Sequence, residues 1–447
     1  MIGVLAVLLC LLCAGLIAWG LVKRENLLQF PFLAAWAVAL QILPQFYAVR
    51  SGVLPYPSDG PLKVLLMTLL CLGMTAVGYS MPAQTSRGLH WRFDGRRLLT
   101  GAAVLVAIGQ VFGFLISRLP EEQTRVSQWS GRPVAYLFFA RLAPYGFAIA
   151  LALFLRYRNK WALLLMIPNV LSTLSVIVLY GRRTPTAEFF LTLLCFLWFT
   201  KKWVPSRPVM IAGILVFAIF VLNVGDYRYA MLSDRGDRWV QVREIDYLGR
   251  LRPDSLARDS AHEMTNAMYY MSAVARTGDF DLGLSLYNGF VSAYVPRQLV
   301  GEQIKASLKA PLPDPAFAVY AFEPYVGSCQ TGVAEAFVSF WYFGCLLYFV
   351  LGYVMRRIWN AAMVGSLPSQ VIYVSLLALY LGAYNGSINN LTVPWVHLLV
   401  FLGPVLLWAR VRQRSVRPVP QKAMPIKPES RFPSTHRTML PRWDSSL

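Results

Sequence analysis

Arginine is the residue type in this chain whose placement points most directly to chemistry. Arg118, Arg125 and Arg132 flank one long apolar segment and Arg141 lies inside it. Arg182 and Arg183 follow Gly181 between two further segments, and Arg228 closes the triplet Asp226-Tyr227-Arg228 at the start of a polar stretch, 226–330. A guanidinium presents its donors in a planar fork that matches two phosphate oxygens, so a group of them suits a diphosphate. The same residues have plainer uses: Arg182 and Arg183 can snorkel to an interface, and Arg228, Arg235 and Arg238 can pair with Asp226, Asp234 and Asp237. Arg141 stands apart, because a charge inside a hydrocarbon-length segment is costly without a partner or water.

Other chemistries find less support. The four histidines, His90, His262, His397 and His436, fall in different parts of the expected topology, whereas a catalytic zinc needs about three protein ligands in one place. No His-based metal site is expected. The chain has no Gly-rich phosphate loop of the nucleotide-triphosphatase kind, so it is not expected to drive transport with ATP by itself. Cys10, Cys13, Cys71, Cys195 and Cys345 lie in apolar segments and Cys329 alone lies in the polar stretch, so no disulfide is expected.

The elements that must position these arginines are membrane helices. Hydrophobic residues make up 56% of the 447 and charged residues 14%, a balance that excludes an ordinary soluble domain. Apolar runs near the roughly 20 residues needed to cross hydrocarbon occur at 2–22, 27–49, 64–81, 98–117, 134–155, 161–180, 187–200, 208–224, 334–355, 367–383 and 391–409. The expected fold is an all-α polytopic membrane bundle of about eleven transmembrane helices, within a range of about ten to twelve. One large extracytoplasmic loop containing short helices is expected to interrupt it.

Orientation follows from the basic residues of the short connections. Lys23/Arg24, Arg87/Arg92/Arg96/Arg97, Arg156/Arg158/Lys160, Lys201/Lys202/Arg207, Arg356/Arg357 and the Arg410–Arg417 region alternate with connections poorer in Lys and Arg. The first set is expected in the cytoplasm. No Lys or Arg precedes the first apolar run, which is read as a retained helix starting outside the cell. The formal net charge of +20 is then chiefly a topology signal, and nucleic acid is not an expected partner.

Four regions result: transmembrane helices at 1–224, a large outer loop at 225–333, further transmembrane helices at 334–409, and a basic tail at 410–447. The tail lacks apolar content to order itself and is expected to lie near anionic lipid. Within the loop, 262–275 places Met264, Met268, Met271 and Val274 at helical spacing, the pattern of an amphipathic helix resting on the bundle or packing in the loop.

Beyond these readings, several motifs together resemble the Wzy-type oligosaccharide repeat-unit polymerases. They are Asp226-Tyr-Arg228 after a helix, Tyr294-Val-Pro-Arg297 with Lys305 or Lys309 following, and Gly327-Ser-Cys-Gln-Thr-Gly332 leading into Glu335-Ala-Phe-Val-Ser-Phe-Trp-Tyr-Phe-Gly344. The run Ser339–Gly344 departs from that family's pattern in lacking an Asn before the aromatic-Gly step. The resemblance implies a bacterial inner-membrane protein, for which the basic-residue pattern gives a periplasmic N-terminus and a cytoplasmic C-terminus. It implies a substrate that is a polyprenyl-diphosphate-linked oligosaccharide, a reaction without cofactor, and pathway partners such as a chain-length regulator and a flippase. A sugar hydroxyl of one unit would attack the anomeric carbon of another and polyprenyl diphosphate would leave. Arg182, Arg183, Arg228 and Arg297 would hold diphosphate with help from Arg141, and Glu335 or Asp226 would orient or deprotonate the acceptor hydroxyl.

Other readings stay open. An O-antigen ligase or a polyprenyl-phosphate-sugar glycosyltransferase would rely on His262, the sole histidine of the long loop. A lipid-linked oligosaccharide flippase or other transporter would be expected to show internal repeats, and none is visible. A membrane scaffold draws no support from the outward arginines.

Overall fold

The computed structural model describes residues 1–50, 55–82, 91–120, 132–232, 238–249, 262–295, 297–325 and 328–411. Arg125, His90, the charged residues at 234–237, His436 and the tail from 412 lie outside the described residues. The described elements are helices, with one isolated bridge between Phe93 and Arg410.

The N-terminal half begins with α1 (Ile2–Val22), then α2 (Phe30–Ala37) and α3 (Leu43–Arg50), joined through a π-helical turn at Val38–Ile42. Next come α4 (Gly60–Ser80) and α5 (Gly95–Ser117). The helices α6 (Arg132–Ala140) and α7 (Leu142–Tyr157) make one span broken at Arg141. After them run α8 (Lys160–Tyr180), α9 (Arg183–Lys201) and α10 (Arg207–Leu232).

The loop contributes short helices: α11 (Arg238–Arg243), α12 (His262–Thr277), α13 (Leu284–Tyr294), α14 (Arg297–Val300), α15 (Glu302–Ser307) and α16 (Pro315–Tyr320). The chain re-enters the bundle through α17 (Gly332–Phe340) and α18 (Cys345–Met363), returns along α19 (Leu367–Asn385), and ends in α20 (Val393–His397) and α21 (Gly403–Ala409).

Among the described residues ten helices are long and apolar enough to cross a membrane. The expected eleventh corresponds to α9, whose first turns carry Arg183, Pro185 and Glu188 and are less apolar than the rest. It nevertheless packs inside the bundle against α7, α8 and α19. The protein is an all-α polytopic helix bundle.

Two elements differ from the sequence reading in ways that matter for function. The helix expected to end at 224 continues through Asp226 and Arg228 to Leu232, because Tyr227 reaches across to donate to the Val178 carbonyl and extends the packing against α8. The re-entering segment is broken at a 3-10 turn, Trp341–Gly344. Unbroken, the 32 residues of Gly332–Met363 would run about 48 Å against a hydrocarbon core of about 30 Å. Trp341 carries the bend at φ 52° and ψ −145°, a strained conformation for a residue with a side chain.

The centre of the bundle is the α4–α18–α19 contact. Gly78 lies against the Phe349 carbonyl and Gly352 against the Thr75 carbonyl, so the two backbones meet with no room for a β-carbon. Polar groups buried there find partners: Thr75 Oγ1 and the Tyr384 hydroxyl are 2.6 Å apart, and the Tyr348 hydroxyl donates to the Ala383 carbonyl at 2.6 Å.

The predicted amphipathic helix is α12. Met264, Met268, Met271 and Val274 are buried, and Met268 sits on Gly60 at the start of α4. The loop is thereby seated on one end of the bundle. Basic residues mark the other end: Arg156 donates to Gln370 Oε1 at 2.6 Å and to the Gly365 carbonyl, and Arg207 donates to the Val22 carbonyl at 2.7 Å.

Candidate functional site

Three of the expected diphosphate-binding arginines meet at the turn between α8 and α9. Gly181 takes the left-handed conformation, φ 54°, to end α8, and the Tyr227 and Val224 side chains close over it. Arg182 and Arg183 follow on the exposed start of α9. Because α10 stays helical past its expected end, Arg228 faces this turn and donates from Nη2 to the Gly181 carbonyl at 3.3 Å. It lies within the electrostatic reach of both Arg183 and Arg182. Arg183 in turn faces Glu263, in the first turn of α12. Like charges this close repel, and an anion bound among them would lessen that repulsion. Asp226 lies on the same helix turn as Arg228.

Glu335 belongs to a different neighbourhood. It stands in the first turn of α17, and its Oε2 accepts from the Ser387 hydroxyl at 2.9 Å and from the Ile388 backbone N–H at 2.6 Å. It therefore caps the 3-10 turn Ile388–Leu391 between α19 and α20. Neither an arginine nor Asp226 contacts Glu335 among the described residues. Cys329 lies between Glu335 and Glu263, within reach of both charges, while Asn266 holds the adjacent backbone through the Cys329 carbonyl at 3.2 Å. Burial pushes the Cys329 thiol up to about 12, which disfavours its thiolate.

Arg297 is also placed apart. Its Nε lies 2.6 Å from Glu302 Oε2, with both side chains more than half exposed. It follows α13, whose Tyr294 hydroxyl donates to the Val393 carbonyl and accepts from the His397 backbone N–H at 3.2 Å. No contact among the described residues joins it to Arg182, Arg183 or Arg228.

Arg141 leads to a group that the sequence reading did not assemble. It occupies the break between α6 and α7, with φ −65° and ψ −5°, and is exposed despite lying in the middle of a span. Its charge acts on Glu188, a half-buried carboxylate of α9. Tyr145 lies in the field of both groups. Its hydroxyl is 3.0 Å from His397 Nδ1, and His397 Nε2 is 2.9 Å from the Phe138 carbonyl. A carbonyl only accepts, so Nε2 carries the proton in the neutral ring and Nδ1 accepts from Tyr145. Glu188 was hidden at the edge of the apolar run 187–200. A carboxylate at that edge, with an intramembrane arginine elsewhere, was the available signal.

Architecture and site define a multi-pass helical membrane protein with loop helices seated on one end of the bundle and guanidinium groups gathered at the Gly181 turn. Compared with family models, with curated proteins and with solved structures, the chain matches none.

Proposed function

We propose that this protein joins polyprenyl-diphosphate-linked oligosaccharide repeat units at the outer face of a bacterial inner membrane, with its N-terminus outside and its C-terminus in the cytoplasm. The observation that carries the reading is the convergence of Arg182, Arg183 and Arg228 on the Gly181 turn, with Glu263 of the loop helix α12 facing Arg183. A diphosphate seated there would be neutralised by several charge-assisted hydrogen bonds as it departs. The basic residues at the opposite end of the bundle support the orientation.

The reaction consists of attack by an acceptor hydroxyl oxygen on the anomeric carbon. The bond from that carbon to the diphosphate oxygen breaks, the diphosphate leaves with the electron pair, and the hydroxyl proton passes to a base. Of the carboxylates, Glu335 is committed to the Ile388 turn. Glu188 lies five residues beyond Arg183 on α9, about 8 Å along the axis, beside Arg141. We assign the base to Glu188 and a positioning role to Glu335. A flippase of the same pathway and a chain-length regulator are the protein partners this reading requires.

The exposed mid-span Arg141 favours one rival, passage of the diphosphate through the bundle. Deleting the gene in the native host, then resolving surface polysaccharide beside extracted lipid-linked sugars, separates the two. Single repeat units without long chains, rescued by the wild type and not by Arg228→Ala, are the expected result. Arg228→Lys should rescue less well than Arg, since Lys lacks the planar fork. Repeat units held on the cytoplasmic side indicate transport instead, and long chains left unattached indicate a ligase.

A further inference from the structure

At the end of the bundle opposite the loop lies a cleft of about 310 Å³, framed by the α1–α2 connection and α18. Its size falls at the low end of small-ligand pockets, about 300–1,000 Å³. Lys23 and Arg356 line it, and neither makes an ion pair among the described residues.

The floor is built from two buried amides. Asn26 and Gln29 are 6% and 4% exposed. Gln29 Nε2 donates to Asn26 Oδ1 at 2.9 Å and to the Glu25 carbonyl at 3.2 Å, and Asn26 Nδ2 donates to the Trp19 carbonyl at 3.1 Å. Gln29 Oε1 is left to accept from Arg356 Nη1 at 3.4 Å, while the guanidinium lies 5.2 Å from the centroid of the Tyr79 ring. The network therefore holds the Arg356 guanidinium in place at the cleft. The Glu25 carboxylate is the one acidic group of the lining. The exposed Trp19 and Val22 belong to the last turns of α1, where the membrane-length helix ends.

We infer that this cleft binds the phosphate of a membrane phospholipid, with Lys23 and Arg356 taking the phosphate oxygens and the acyl chains lying along Trp19 and Val22. Two cations at the level where a span ends meet a phosphodiester without desolvating it fully. The exposed apolar wall beside them favours a lipid over a soluble phosphate compound.

Native mass spectrometry of the full chain in a maltoside detergent, titrated with dioctanoyl phosphatidylglycerol, tests the assignment. One lipid should be retained by the wild type, with affinity falling about tenfold for Lys23→Gln and for Arg356→Gln, and unchanged for Arg410→Gln. Lys23→Glu, at an exposed position, should abolish retention and keeps the test decisive where Arg356→Gln does not fold. Equal retention by wild type and both Lys23 variants overturns the proposal. So does full displacement of the lipid by millimolar inorganic phosphate, which would assign the cleft to a soluble anion.

Discussion

At Glu188, a half-buried carboxylate lies in the field of the exposed Arg141 guanidinium, and Tyr145, which feels both charges, meets His397. A base in that position predicts that Glu188→Gln loses polymer formation by about 100-fold or more while the protein is still made in normal amounts. Glu335→Gln should behave differently. Its amide oxygen can still accept from Ser387 and Ile388, so activity is expected within a few-fold of wild type. Glu335→Ala, which removes the cap, should lower stability by about 1 kcal/mol, read as a shift in thermal unfolding. If Glu335→Gln is inactive and Glu188→Gln active, the roles of the two are reversed. The arginines at 182, 183 and 228 were legible as a set because charge on the translocated face runs against the expected bias. Arg297 was not legible in the same way: its spacing says nothing about Glu302, which a turn of the loop brings to 2.6 Å.

On the scale of elements, the loop is held by α12 on the start of α4, next to Asp59. Burial alone would push Asp59 up, but the hydrogen bond and charge of Lys63, with the Ser272 hydroxyl nearby, outweigh it and hold the carboxyl below its ordinary 3.8. A folded pKa below the unfolded one means that the stabilisation is complete above about pH 4 and is lost as pH falls through the folded value. Amide exchange in α12 should therefore accelerate below about pH 4, and Asp59→Asn should remove that acid dependence while raising exchange at neutral pH. The α4–α18 contact makes a second prediction. Gly352→Val would drive a branched side chain into the Thr75 carbonyl, at a cost of about 3 kcal/mol, seen as loss of monodisperse protein in detergent. The helix over 262–275 was readable because its methionines repeat at 3.6-residue spacing. The break at Trp341–Gly344 was not, because an apolar run of aromatic and aliphatic residues has no local signal for a turn that its excess length imposes.

For the whole molecule, the ends of the bundle differ in charge and in cover, which predicts sidedness. In a Cys329→Ser background, Lys309→Cys should react with a membrane-impermeant maleimide on intact spheroplasts, and Lys202→Cys only after permeabilisation. The reverse pattern would invert the proposed topology. Length and apolarity were enough to give an all-α polytopic bundle, and period gave the helix over 262–275 but not whether it rests on the bundle or packs within the loop, because hydrocarbon thickness and helix rise act locally along the chain. What lies next to what was decided only by tertiary structure. Whether Arg228 faces Gly181, whether Glu335 serves a turn or a substrate, and whether Arg141 meets Glu188 depend on helices far apart in sequence packing side by side. Electrostatic and hydrogen-bond energies depend on distances of a few ångströms that no local pattern encodes.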